Sequence, residues 1–250
     1  MEGNSTAEMN FAQLMAAGVA AQHEKAHQDA LEYRTQAFWA AAAESNTVGM
    51  AQALRDGAAS LSYLEQLDEA AKGARESVRL LADGQSTDVP VELKEELAAS
   101  LDRHARILGR AAIARELNSG LPQNFTPQQT SAKAWGLLRD VEKSAGKHSP
   151  DSLHQYRINM VCRHAVLTAL SGDRLRAAEF GARGMVMGLF SNMSSVAHAD
   201  KALGTKGRLR SKVNVIAGSG LAIVVAANMS KKQGTRRREW ALKKADSLLH

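Results

Sequence analysis

The sequence predicts an all-α protein made of antiparallel helical hairpins, stacked as a short solenoid or packed as an irregular bundle. Three observations carry that expectation. Alanine dominates every long segment, aromatics make up 4% of 250 residues and prolines number four, a composition that favours helix over strand. Met160 to Met185 reads as two helical patterns joined at Gly172-Asp173, with Ala165 on the first and Ala177, Gly181 and Gly184 on the second. Small residues at those points let two backbones approach, while Val161, Leu167, Leu170, Leu175 and Phe180 are expected to fill the flanking space. The same small-residue spacing returns upstream at Ala58, Ala70 and Ser77, with Ala74 standing where Gly181 stands.

The elements follow in order. Residues 1–6 read as a polar, disordered leader, and Ala7 to Glu44 as one long helix or two in series, interrupted only by the tolerated Gly18. Ser45-Asn46-Thr47 ends it and caps the next. Met50 to Leu64 and Leu67 to Leu81 form the first hairpin, followed by turn-forming residues from Gly84 to Pro90. Val91 to Leu117 places Leu93, Leu97, Leu101, Ile107 and Leu108 on one broad face with charges opposite. Asn118 to Pro122 stops this helix, and Thr126-Pro127 and Ser149-Pro150 each start another with a cap and an N1 proline. An N-terminal lobe over 7–120 and a C-terminal lobe over 121–250 with a basic end are therefore expected.

The two small-residue hairpins resemble the tetratricopeptide repeat, a helical hairpin of about 34 residues. The aromatic positions and the closing proline of that repeat are missing here, and Glu65 stands in place of its turn glycine. The resemblance implies a concave surface, built by the first helix of each hairpin, that accepts a peptide or helix.

One string has a catalytic look. His23-Glu24-Lys25-Ala26-His27 matches HExxH, in which two histidines on one helix face bind zinc and the glutamate activates water. Glu32, Glu44, Glu65 or Asp68 could be offered as a third ligand, but none sits in a recognisable motif. Only 22 residues precede His23, too few for the upstream sheet of a zinc protease, and Lys25 puts a cation between the ligands. The expectation is therefore no catalytic residue, no metal and no cofactor, with His23 and His27 kept as a minor zinc alternative. The remaining histidines lack ligand spacing, and phosphate-loop, dinucleotide and nucleophile-elbow motifs are absent.

Charge is polarised. The net charge is +6, yet residues 201–250 carry twelve Lys or Arg against Glu239 and Asp246, which makes the rest of the chain acidic. Lys206, Arg208, Arg210 and Lys212 precede an apolar run, and Lys231, Lys232, Arg236, Arg237 and Arg238 follow it. These nine are the expected partner- or anion-binding residues, because such clusters attract phosphate, anionic lipid or an acidic protein face. With only Trp240 among them there is no stacking platform for bases. The run from Val213 to Met229 is uncharged but broken by Asn214, Ser219, Asn228 and two glycines, which favours a core helix over a membrane span. Trp240, Leu242, Leu248 and Leu249 of the last helix are expected to pack back on it.

A single cysteine, Cys162, excludes an internal disulfide, and Met1 to Gln13 lacks a secretory signal, so a cytoplasmic chain is expected. The functional expectation is a non-catalytic scaffold that binds another protein or peptide. The alternative is attachment to nucleic acid or an anionic membrane through the basic end, including a secreted or virion-associated role in a phage or secretion system.

Overall fold

The computed structural model describes residues 9–82, 89–119, 126–145, 151–190, 204–229 and 235–250; the expected leader lies outside them. Ten α-helices and no strand occupy the described residues. They fall into two compact units, Met1–Ser86 and Thr87–His250. The fifth helix packs on helices that follow it, within the second unit.

The first unit holds α1 (Phe11–His23), α2 (His27–Ala43), α3 (Thr47–Tyr63) and α4 (Leu67–Leu81), each packed on the next. Of the two readings of Ala7 to Glu44, one long helix or two in series, the second holds, and the break recurs with a period of 20 residues: Lys25, Ser45 and Glu65 adopt left-handed φ of 62°, 54° and 61°. At each, the following N–H reaches five residues back, from Ala26 to Ala21, Asn46 to Ala41 and Gln66 to Leu61, at 2.8–2.9 Å. The left-handed residue itself bonds three back, to Gln22, Ala42 and Ser62. This double bond pattern satisfies the last carbonyls of a helix and normally carries glycine at the left-handed position. Lys, Ser and Glu there each cost about 1 kcal/mol, which the packing of the flanking helices offsets.

Alanine explains how closely these helices pack. Ala30, Ala37, Ala41, Ala51, Ala53, Ala58, Ala70 and Ala74 are all buried, so backbones approach where larger side chains would separate them. The buried Ser77 Oγ donates to the Ala51 carbonyl at 2.7 Å and ties α4 to α3. The hairpin pitch is 40 residues, longer than the 34 of a tetratricopeptide repeat.

The second unit holds α5 (Val91–Ser119), α6 (Pro127–Ala145), α7 (Asp151–Leu170), α8 (Arg174–Phe190), α9 (Gly204–Asn228) and α10 (Arg236–Leu249). Its core joins Ala105 and Ile113 of α5 to Val166, Leu167 and Leu170 of α7, Val225 and Ala226 of α9, and Leu242 and Leu249 of α10. The described part of 213–229 is therefore core helix, and among the described residues no helix is long and apolar enough to cross a membrane. Leu248 is half-buried against this core, whereas Trp240 is exposed, contrary to expectation.

The α7–α8 hairpin forms at Gly172, whose φ of +92° suits glycine alone. Its two downstream glycines serve a neighbour beyond the hairpin as well, although a Cβ on Gly184 would also meet Cys162 Sγ of α7 at 3.4 Å. A Cβ on Gly181 would meet Ile223 Cγ1 at 2.5 Å and the Ser219 carbonyl at 3.2 Å, and one on Gly184 would meet Ser219 Oγ at 2.7 Å. They bring α8 against α9, where the buried Cys162 Sγ and Ser219 Oγ also lie 2.7 Å apart. Leu175 is 87% exposed and fills no flanking space.

The charges of α5 are not confined to a solvent face. Asp102 is fully buried, with Oδ2 3.1 Å from both Arg106 Nε and Arg163 Nη1. Arg106 also donates to the His250 carbonyl at 3.3 Å, and Arg110 Nε lies 2.9 Å from Asp246 Oδ1. Burial pushes the Asp102 carboxyl up, but Arg106, Arg163 and Arg103 together with the Tyr156 hydroxyl hold it below its ordinary value. His164, buried edge-on against Phe180, is pulled down by burial to about 4 and is neutral at neutral pH.

Candidate functional site

Two concavities of the first unit share one side chain, Arg34 of α2, which is 2% exposed. Small residues make room for it: a Cβ on Gly18 of α1 would stand 2.9 Å from its Cζ. Nη1 donates to the Met15 carbonyl at 2.7 Å and touches Met15 Sδ at 3.6 Å, while Nε is buried with no hydrogen-bond partner among the described residues. Burial pulls the guanidinium below its ordinary value; Asp56 opposes this and Arg55 adds to it. It remains a cation at neutral pH.

The first concavity is an apolar groove of about 240 Å³ formed by α2, α3 and α4. Gly57, Ala58 and Gly73 line it where the helices come together, and Leu31, Phe38, Leu54 and Leu61 contribute larger apolar side chains. Trp39 is 66% exposed beside it, with Phe38 edge-on to the indole at 5.2 Å. Neither glycine is needed for close approach: a Cβ on either would find its nearest neighbour at 3.6 Å, an ordinary contact. Their missing side chains are part of the groove's volume.

The second concavity, about 740 Å³, is the more polar of the two, and cations predominate in its charged lining. Besides Arg34 it is lined by His23, Lys25, His27, Asp56 and Tyr63. The His27 and Tyr63 rings stack at 4.4 Å, and His27 Nδ1 is buried without a partner. Asp56 Oδ1 is already engaged by Arg55 Nε at 3.1 Å.

Both histidines of the HExxH string therefore line one cavity, but not as that motif requires. His23 is the last residue of α1 and His27 the first of α2, with the left-handed Lys25 between them. The common helix face on which two zinc ligands four residues apart depend is absent. Among the described residues no group of three or more His, Cys, Asp or Glu is placed to hold a metal ion.

The basic residues divide. Lys231 and Lys232 lie outside the described residues, and Lys206, Arg208, Arg210 and Lys212 fall on α9 in a stretch whose side chains are not described. Arg236 and Arg237 are exposed in the first turn of α10. Arg238 is not a free cation: its Nε pairs with the buried Glu116 at 2.5 Å, and Nη1 donates to the Met229 carbonyl at the end of α9. It joins α10 to α5 and α9, a structural duty that the run of three arginines conceals.

Neither Arg34 nor the groove was found from sequence. A lone arginine in an Ala-rich helix reads as a solvated residue, and the only available signal was the pairing of Arg34 with Gly18. No protein-family model matches the chain, and no curated protein is similar to it.

Proposed function

We propose that the chain is a non-catalytic helical-repeat scaffold whose first unit captures an amphipathic helix or peptide of a partner protein in the α2–α3–α4 groove, in the manner of tetratricopeptide-type repeats. The observation that carries this reading is an exposed tryptophan beside a groove lined by two glycines whose side-chain space is unfilled. Tryptophan is among the residues that most often dominate binding energy, and an apolar groove between helices is the usual receptor for a helix presenting aliphatic anchors.

Display selection of amphipathic peptides against the intact chain, followed by titration of the dye-labelled peptides by fluorescence anisotropy, tests the reading. Trp39→Ala is expected to weaken the selected peptides about 30-fold, the equivalent of a 2 kcal/mol anchor. Gly73→Ala fills part of the groove at an ordinary contact distance and is expected to weaken binding too, while stabilising α4 by about 0.5–1 kcal/mol. Peptides that bind both variants as tightly as the parent would overturn the proposal.

A second reading, anion attachment through the basic end, is favoured by Arg236 and Arg237. They stand exposed in the first turn of α10, where the helix dipole disfavours cations, so folding alone does not explain them. Retention on DNA or anionic vesicles at low salt, lost at high salt and weakened in Arg236→Ala/Arg237→Ala, is the expected result. Arg238 is left intact in this test because its loss would expose the fold rather than the interface.

A further inference from the structure

We propose that the polar cavity between α1, α2 and α3 binds a small organic oxyanion, a carboxylate or phosphate carried on a compact body, with Arg34 and Lys25 as its charge partners.

The site is independent of the groove reading and rests on an imbalance. Arg34 is a cation, 2% exposed, with Nε unpaired among the described residues. Removing a guanidinium from water without a counter-charge is expensive, so such a group is ordinarily paired. Asp56, the one acid among the described lining residues, favours the Arg34 charge from a distance, but its Oδ1 is on Arg55 and it makes no ion pair with Arg34 within 4.0 Å. Lys25 adds a second cation, held at the cavity by the tight turn after α1. His27 presents a second buried nitrogen, Nδ1, without a partner, and its ring is braced against Tyr63.

An oxyanion placed among these groups would accept from Arg34 and Lys25, and from a histidine nitrogen that carries a proton. Arg34 suits this role because a guanidinium is always charged, is weakly hydrated and donates charge-assisted bonds, and the Met15 carbonyl fixes it in place through Nη1. The volume, about 740 Å³, is of the size that ligand pockets commonly have and exceeds the needs of a bare ion. A body attached to the oxyanion would meet the stacked His27 and Tyr63 rings and Val19.

The experiment uses the intact chain and two probes that share a ring and differ in the anion, phenyl phosphate and benzoate. NMR follows the Arg34 Nε–Hε resonance and the His27 ring protons during titration to millimolar probe. The expected result is a saturable shift of both signals with at least one probe; the probe that binds more tightly identifies phosphate or carboxylate as the preferred group. Lys25→Gly removes a cation while relieving the left-handed backbone, so the fold is retained, and is expected to weaken binding about tenfold. Asp56→Asn removes the competing carboxylate and is expected to tighten it several-fold. Absence of a saturable shift with both probes, or an affinity unchanged in both variants, would overturn the proposal.

Discussion

Asp102→Asn is expected to destabilise the second unit by about 3–5 kcal/mol, the usual cost of removing one partner from a buried ion cluster. The carboxylate is fully buried and is shared by Arg106 and Arg163, each at 3.1 Å. Asparagine keeps the shape but not the charge, leaving Arg106 at 6% exposure to face Arg163 without the anion between them. Urea unfolding of the intact chain, read separately for each unit through tryptophan replacements, measures the loss. An unchanged midpoint for the second unit would show that the cluster is neutral in stability.

The same carboxylate gives the curve an acid arm. Its folded value is depressed, so its stabilisation is complete above the ordinary carboxylate range near 4 and is lost as pH falls through the lower folded value. His164 acts earlier. Its folded value of about 4 lies below the ordinary 6.5, so the unfolded chain takes up the proton first and stability falls as pH drops from about 6.5 toward 4. The full loss is on the order of 3 kcal/mol. His164→Gln is expected to remove the upper part of this decline and leave the lower.

Gly181→Ala is the second large effect, a loss of about 1–3 kcal/mol although alanine is the better helix former. The added methyl would stand 2.5 Å from Ile223 Cγ1, near the root of a branched side chain, and 3.2 Å from a backbone carbonyl. Neither neighbour can move without shifting α9. Ile223→Ala opens the space, so the double variant is expected to recover part of the loss, and the cycle of four proteins isolates the coupling. Additive losses would mean that α8 and α9 had separated instead.

The helices and most of their ends were legible because alanine content, the cap at Asn46 and the glycine turn at 172 are local signals. The place of the break inside residues 7–44 was not, since Lys25 occupies a position where glycine is the usual marker. Only the 20-residue spacing of Lys25, Ser45 and Glu65 announced it, and that spacing becomes meaningful once one turn is known. The α5 charges were misassigned for a different reason. A helix packed on α6, α7 and α10 buries more than its leucine face, and the i, i+4 row of Asp102, Arg106 and Arg110 then lies inside. The electrostatic identity of Arg236 to Arg238 hid a division of labour, because sequence records charge but not which cation finds a buried carboxylate. The polar cavity needed α1, α2 and α3 together, so no single stretch could show it.

The evenly spaced turns of the first unit also govern how it can come apart. Each helix rests mainly on its immediate neighbours, with only slight contact between α1 and α3, so cohesion is distributed pair by pair along the series. Such an array need not melt in one step: α1 can detach while α3 and α4 stay docked, and amide exchange should be graded from the outer helices inward. Detachment of α1 would dismantle the cavity around Arg34 but spare the apolar groove on α2–α4. The two concavities would then survive for different lifetimes, although they share an arginine.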